Sequence, residues 1–161
     1  MIHILTTGGT IGGTDQKDGE VMRTSVSIDD FLQIPNVSFN YRIDTIFDKD
    51  SRLINQEDRE LLAQKIRSSM FDKILITHGT FSMEDTAQFL GVLKIKKTII
   101  LVGSLILGSG KNTDASFNLG YSIAALQFLN NGVYIAMNGK VFDWFNVYKN
   151  LGENKFMTLR P

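Results

Sequence analysis

The sequence predicts an α/β fold, a doubly wound and mostly parallel sheet in a three-layer arrangement, with a C-terminal hairpin. Two observations lead to it. Strand-length apolar runs alternate with longer amphipathic segments, which is the pattern of βαβ units and a parallel sheet. The only prolines are Pro35 and Pro161, so no proline-rich linker divides the chain, and its 161 residues suit one domain covering 1–161.

The parallel strands are predicted where apolar residues run without interruption, at Ile2–Thr6, 74–77, Thr98–Val102 and 133–137. Residues 37–47 differ, because apolar and polar side chains alternate there as they do in a half-exposed strand. Residues 134–142 predict the hairpin, with Asn138-Gly139 suited to a type I′ turn.

Four helices are predicted between these strands. The first begins at a capping box, Ser27-Ile-Asp-Asp30, and ends before Pro35. Residues 56–70 have apolar residues at fourfold spacing, with acidic residues early and basic residues late. Ser82 caps the third helix, and the fourth begins at Asp114 or Ser116 and ends near Leu129.

Composition excludes several classes of function. The 17 basic and 17 acidic residues balance, and no basic run is present, so neither nucleic acid nor a membrane surface is an expected partner. No segment approaches the roughly 20 apolar residues that span a bilayer. Cysteine is absent, and the two histidines, His3 and His78, lack ligand partners at metal-binding spacing. We therefore expect a cytoplasmic protein without a metal.

Two threonines, Thr10 and Thr80, lie in glycine-rich turns that each follow a predicted strand. The carboxyl ends of parallel strands share one edge of a sheet, where open α/β folds bind their ligands. Neither turn has the glycine spacing of a dinucleotide site or a Walker loop, so no cofactor is expected. Two hydroxyl groups at that edge suit acyl transfer, with threonine as nucleophile and backbone N–H groups holding the oxyanion.

The base that would activate a threonine is left open by the residues alone. His78 lies two positions before Thr80, but a single histidine after a buried strand is more often structural. A lysine whose pKa is lowered by burial or by neighbouring cations is the alternative.

These turns resemble signatures of the bacterial-type L-asparaginase family, and specifically of its N-terminal domain. Residues 7–13 read Thr-Gly-Gly-Thr-Ile-Gly-Gly, and residues 77–87 read Thr-His-Gly-Thr-Phe-Ser-Met-Glu-Asp-Thr-Ala. Asp50-Ser51 resembles the family's substrate motif, and the similarity continues through 132–138 to Lys149. Most members carry a smaller C-terminal domain, and this chain is more similar to the short, single-domain asparaginases.

The resemblance implies roles for individual residues. Thr10 matches the primary nucleophile, while Thr80 and Lys149 match the second threonine and its assisting lysine. Ser51 matches a residue that binds the substrate carboxylate. Gly9, Asp50, Gly79 and Phe81 complete the substrate-binding set that the resemblance implies.

This chain departs from the family pattern at position 81. The family has an aspartate there that holds the substrate α-ammonium, whereas this chain has Phe81. A phenyl ring offers at most a cation–π contact of about 0.5–2 kcal/mol, and losing one partner of a buried charge pair costs roughly 2–5 kcal/mol.

A second departure concerns the support for Thr10. The acidic group that the family's second domain supplies is absent, so we expect support from Asp15, Glu20 or a residue across a subunit interface. Residues 14–27 are polar and punctuated by glycine, as in a lid, and Val21 occupies about the position of the family's lid tyrosine.

Three functions remain open. The leading one is an amidohydrolase that releases ammonia from asparagine or a related small amide. The others are a non-catalytic ligand-binding member of the same fold, and an amidase for a substrate without the α-ammonium. A homodimer or homotetramer is also expected, because residues 117–129 are apolar nearly all round and the resemblance implies oligomers.

Overall fold

The computed structural model describes residues 1–17, 20–23 and 27–160, with backbone only for 14–17 and 20–23. Its strands are β1 Ile2–Thr6, β2 Thr14–Lys17, β3 Glu20–Arg23, β4 Tyr41–Thr45, β5 Lys73–Thr77, β6 Thr98–Val102, β7 Gly132–Met137, β8 Lys140–Asp143, β9 Tyr148–Asn150 and β10 Lys155–Met157. Its α-helices are α1 Asp30–Gln33, α2 Gln56–Ser68, α3 Met83–Val92 and α4 Ala115–Phe128. Short 3₁₀ turns cover Thr10–Gly12 and Ser51–Leu53.

The main sheet has six strands in the order β4-β1-β5-β6-β7-β8, and only β8 runs antiparallel to its neighbour. The predicted α/β fold with a mostly parallel sheet and a C-terminal hairpin is confirmed. The strand order reverses at β1, since β4 lies on one side of β1 and β5 lies on the other. The carboxyl ends of β1 and β5 thus flank a topological switch point, where such sheets form their ligand crevices.

The core explains why these strands are so apolar. Every residue of β6 is buried, as are the last four residues of β5, because helices cover both faces of the sheet. Helix α4 packs on β5, β6 and β7, while α2 packs against α3. Helices α1 and α4 also line a common apolar groove. No helix in the described ranges has both the length and the apolarity to cross a bilayer.

Two of the predicted helix starts differ in the structure. Helix α1 begins at Asp30 with Asp29 as its N-cap residue and no side-chain cap, so the capping box predicted at Ser27 is wrong, although the Ser27 N–H does donate to Asp30 Oδ2 at 3.2 Å. Asn55 and Asp58 form a reciprocal capping box at the start of α2. Helix α3 begins after Ser82 as predicted, but the Ser82 hydroxyl does not cap it. That hydroxyl donates to the carbonyl of Ser51 at 2.5 Å, so a contact between loops replaces the expected cap.

The edge strand β4 and the two C-terminal hairpins agree only in part with the predicted elements. Within 37–47 only β4 is a strand. Its side chains follow the predicted alternation over Tyr41–Ile43, but Asp44 is half-buried and Thr45 is exposed, so the alternation is lost at the end of the strand. Asn138 and Gly139 both have positive φ, 55° and 73°, as the predicted type I′ turn requires. A second hairpin, β9–β10, was not predicted; its three-residue strands are too short to give a periodic signal.

The predicted lid is described only in part. Strands β2 and β3 pair antiparallel within it, whereas residues 18, 19 and 24–26 and the side chains of 14–26 lie outside the described structure. The expectations for Asp15, Glu20 and Val21 therefore fall outside what the structure describes.

Candidate functional site

The two glycine-rich turns meet at the switch point. Thr6 of β1 and Thr77 of β5 are in register, and the next residue, Thr7, donates its hydroxyl to the Thr77 carbonyl at 2.8 Å. Beyond this contact the two turns touch, because a Cβ on Gly9 would lie 2.5 Å from the backbone nitrogen of Gly79. Only a residue without a side chain permits this approach, and Gly9 also has φ +80°.

A third loop packs against the same turns. A Cβ on Gly79 would lie 2.6 Å from the Ser51 hydroxyl oxygen. That oxygen accepts a hydrogen bond from the Phe81 backbone N–H at 3.2 Å, and Ser51 is only 2% exposed. Ser51 thus supports the backbone that carries Thr80 and Phe81.

Lys149 reaches this edge from β9. Its Nζ donates to the Thr80 hydroxyl oxygen at 2.8 Å, and its backbone N–H donates to Glu84 Oε1 at 2.5 Å. Partial burial lowers the pKa of Lys149 below its usual 10.5; the nearby charge of Arg52 acts in the same direction and that of Glu84 opposes it. The lysine therefore contacts a hydroxyl and holds its proton less tightly than a solvent-exposed lysine does.

A cavity of about 310 Å³ opens where these groups meet. It has a size suited to a small molecule. Among the described residues its lining comprises Thr10, Arg52, Thr80, Phe81, Leu105, Leu107, Lys149 and Asn154.

The structure separates the predicted site residues into two groups. Thr10, Thr80, Lys149 and Phe81 line the cavity. Gly9, Gly79, Asp50 and Ser51 are not part of this lining; they lie in the turns behind it, where Asp50 and Ser51 are 6% and 2% exposed.

Phe81 projects into this region with 55% of its surface exposed. The Arg52 guanidinium carbon lies 4.6 Å from the centroid of its ring, and Lys149 Nζ lies 4.4 Å from the same centroid. Both separations are within the range of cation–π attraction. The ring thus has two basic side chains close to its face.

His78 has a structural environment. Its Nδ1 lies 2.8 Å from the Gly79 carbonyl oxygen and its Nε2 lies 2.9 Å from the Thr86 hydroxyl, while the residue is fully buried. Burial lowers the pKa of His78 from 6.5 to about 4. Both ring nitrogens of His78 have partners, and the residue does not line the cavity. The geometry therefore favours a lysine over His78 as the base that activates a threonine.

Four of the lining residues belong to no motif recognised in the sequence. Arg52 follows directly after Asp50-Ser51 and could have been noticed as a cation beside a proposed carboxylate site. Leu105, Leu107 and Asn154 carry no such signal, because long-range packing alone brings their loops to the cavity. Within the described ranges, no cluster of three histidine or acidic side chains could hold a metal ion.

Known proteins match both the sequence and the fold. The model of the asparaginase N-terminal family matches residues 1–156. A probable periplasmic L-asparaginase of Haemophilus influenzae is 33% identical over 159 residues, covering 92% of this chain and 46% of that protein. L-asparaginase 2 of Escherichia coli is 31% identical over 160 residues, covering 92% and 46%.

Two solved asparaginase structures share the fold of this chain. A probable cytoplasmic L-asparaginase from Campylobacter jejuni superposes with a TM-score of 0.79 at 31% identity, covering 98% of this chain and 51% of that one. The L-asparaginase of Thermococcus kodakarensis gives a TM-score of 0.82 at 28% identity, with 99% and 51% covered. The chain spans about half the length of these relatives. Since the family model spans nearly all of it, this chain belongs to the asparaginase family, where it matches the N-terminal domain.

Proposed function

We propose that this protein hydrolyses the side-chain amide of asparagine, or of a related small amide, to the acid and ammonia through Thr10 as nucleophile. The observation that carries the proposal is the 2.8 Å contact between Lys149 Nζ and the Thr80 hydroxyl on the wall of a cavity that Thr10 also lines. Asparaginase relatives at about 30% identity supply the reaction class.

The proposed cycle has two halves. The Thr10 hydroxyl oxygen attacks the amide carbon, and its proton passes to the leaving nitrogen, so ammonia departs and a threonyl ester remains. Water then attacks this ester, which releases the acid and restores the hydroxyl. In each half, neutral Lys149 accepts a proton through Thr80 and returns it, while its protonated form stabilises the developing negative charge.

Ammonia release tests the role of Thr10. We expect Thr10→Ala to lower kcat/KM by more than about 10³-fold, since removal of a nucleophile eliminates the covalent route. Thr45→Ala is the matched control, because the Thr45 hydroxyl accepts a hydrogen bond from Thr6 at 3.0 Å and the residue lines a different cavity. Unchanged turnover in Thr10→Ala would remove Thr10 from the mechanism.

A second candidate is a ligand-binding protein of the same fold without catalysis, and Phe81 favours it, because this ring replaces a charged family residue. Calorimetry with aspartate and asparagine, combined with the ammonia assay, separates the candidates. Binding of either ligand without ammonia release would support the second candidate over the hydrolase.

The cellular location, oligomeric state and partners of the protein are part of the same proposal. We place it in the cytoplasm as a homodimer or homotetramer acting on a small amide, with neither nucleic acid nor membrane as partner. One relative is named cytoplasmic and another periplasmic, so fractionation of the native cells is the deciding measurement. Residues 1–161 act as one α/β domain in this proposal.

A further inference from the structure

The ionisable side chains on the described lining of the candidate cavity are basic. Among the described lining residues, Arg52 and Lys149 are basic and none is acidic. Both basic groups lie over the Phe81 ring, at 4.6 and 4.4 Å from its centroid. A bound carboxylate would meet basic hydrogen-bond donors on this surface, whereas a bound ammonium would meet no carboxylate along the described lining.

The two carboxylates near these cations are already engaged. Asp50 accepts from Arg52 Nε at 2.9 Å and from Arg52 Nη2 at 2.6 Å, and it is only 6% exposed. Glu84 accepts from the Lys149 backbone N–H, and partial burial raises its pKa. Neither carboxylate lines the cavity, so within the part of the chain that the structure describes neither faces a substrate ammonium.

The ring of Phe81 does not replace a carboxylate. An aromatic face attracts a cation through its quadrupole. Here Arg52 and Lys149 already lie near that ring. An ammonium that approached the ring would have to compete with these two basic groups for its face, whereas an uncharged carbon would meet an apolar surface.

We propose that the preferred substrate is the ω-amide of a dicarboxylic acid without an α-amino group, with its carboxylate beside Arg52 and its amide beside Thr10 and Thr80. This inference rests on the proposed hydrolase function. The reaction is balanced with water alone: succinamate and water give succinate and ammonium, as the carbon–nitrogen bond breaks and a carbon–oxygen bond forms.

Asparagine, succinamate and butyramide differ in charge, so comparing them separates the effects of the substrate's ammonium and carboxylate groups on kcat/KM. Succinamate is asparagine without its amino group, and butyramide lacks both charged groups. We expect kcat/KM for succinamate to be at least tenfold higher than kcat/KM for asparagine, and also at least tenfold higher than kcat/KM for butyramide. Arg52→Gln should lower the rate with succinamate but not with butyramide, and Arg42→Gln, which alters the exposed ion pair with Asp44, should change neither.

Substitution of Phe81 provides the reciprocal test. Phe81→Asp should lower the ratio of succinamate to asparagine kcat/KM at least tenfold, whereas Phe81→Leu, which adds no charge, should preserve the succinamate preference. Thermal unfolding verifies that each variant is folded, and Arg52→Gln tests the same charge model at a second position.

The outcomes distinguish this inference from the function on which it rests. Ammonia released faster from asparagine than from succinamate by the native protein would overturn the substrate class and leave the hydrolase intact. An unchanged ratio in folded Phe81→Asp would also overturn it. Absence of ammonia from every amide would remove the hydrolase proposal and the substrate class together.

Discussion

Lys149 has two hydrogen-bond partners that determine its chemistry. Thr80 accepts a hydrogen bond from its side chain, and Glu84 accepts one from its backbone, which fixes the strand that carries it. Partial burial lowers its pKa, so a larger fraction is neutral near pH 7 than for an exposed lysine. On sequence alone Lys149 resembles a solvent-facing loop residue, because the short strands β9 and β10 that place it give no periodic pattern.

This environment predicts the pH dependence of the reaction. Because the proposed base is the neutral amine, kcat/KM should rise as pH increases through the pKa of Lys149, with a midpoint below 10.5. Lys149→Met should remove this rise and lower kcat/KM about 10²–10⁴-fold. Lys149→Arg should also be inactive, since arginine stays protonated.

The matched control for these variants is Lys155→Met, on the neighbouring strand β10, where the side chain is exposed. It should retain both the rate and the pH profile. A rise with the same midpoint in Lys149→Met would show that another group is the base.

The turns after β1 and β5 show how element-scale packing sets the site. Their glycines were visible in the sequence, and so were the strands before them, because continuous apolar runs and Gly-rich turns are local signals. The contact between the turns was not visible, since it depends on β1 and β5 being neighbours in the sheet. Ser82 illustrates the same limit. The local pattern predicts that its hydroxyl caps α3, whereas the hydroxyl donates to the carbonyl of Ser51, which is distant in sequence.

Two glycines in the first turn provide a matched test of this packing. Gly9→Ala introduces a Cβ 2.5 Å from the Gly79 backbone nitrogen at φ +80°. We expect it to cost about 1–3 kcal/mol of unfolding free energy and to lower turnover by about 10²-fold as the turns separate. Gly12→Ala meets nothing within 4 Å and should cost much less.

Denaturant unfolding and ammonia release measure both effects. Equal losses of stability in the Gly9 and Gly12 variants would contradict the argument that close contact of the turns is required. A stable Gly9→Ala protein with full activity would contradict it as well.

At the scale of the whole molecule, the surface of α4 bears on the predicted oligomer. The helix buries one side against the sheet, but Phe117 and Phe128 remain 61% and 87% exposed. Beside it lies an apolar groove of about 540 Å³, shared with α1 and the segment after it. Exposed apolar surface of this kind is typical of interaction sites, so the contact of this helix with another subunit stays a prediction.

Self-association through this groove can be tested at Ile34, which lines it and is 84% exposed. Ile34→Asp should raise the dissociation constant of the oligomer at least about tenfold, because a buried unpaired charge is costly. Met70→Asp is the control, since Met70 is 83% exposed and lines a different cavity.

Light scattering across a dilution series gives the dissociation constants. A native protein that stays monomeric at every concentration would contradict the predicted oligomer. Equal weakening by both substitutions would place the interface elsewhere.

The proposed reaction passes through an ester on Thr10. Hydroxylamine can intercept this ester while the protein hydrolyses its fastest amide and, separately, the methyl ester of the same acid. A shared threonyl ester predicts one ratio of hydroxamate to acid from both substrates, and loss of both products in Thr10→Ala. A ratio that changes with the leaving group, or hydroxamate formation that persists in Thr10→Ala, would show that the two substrates do not share an ester on Thr10.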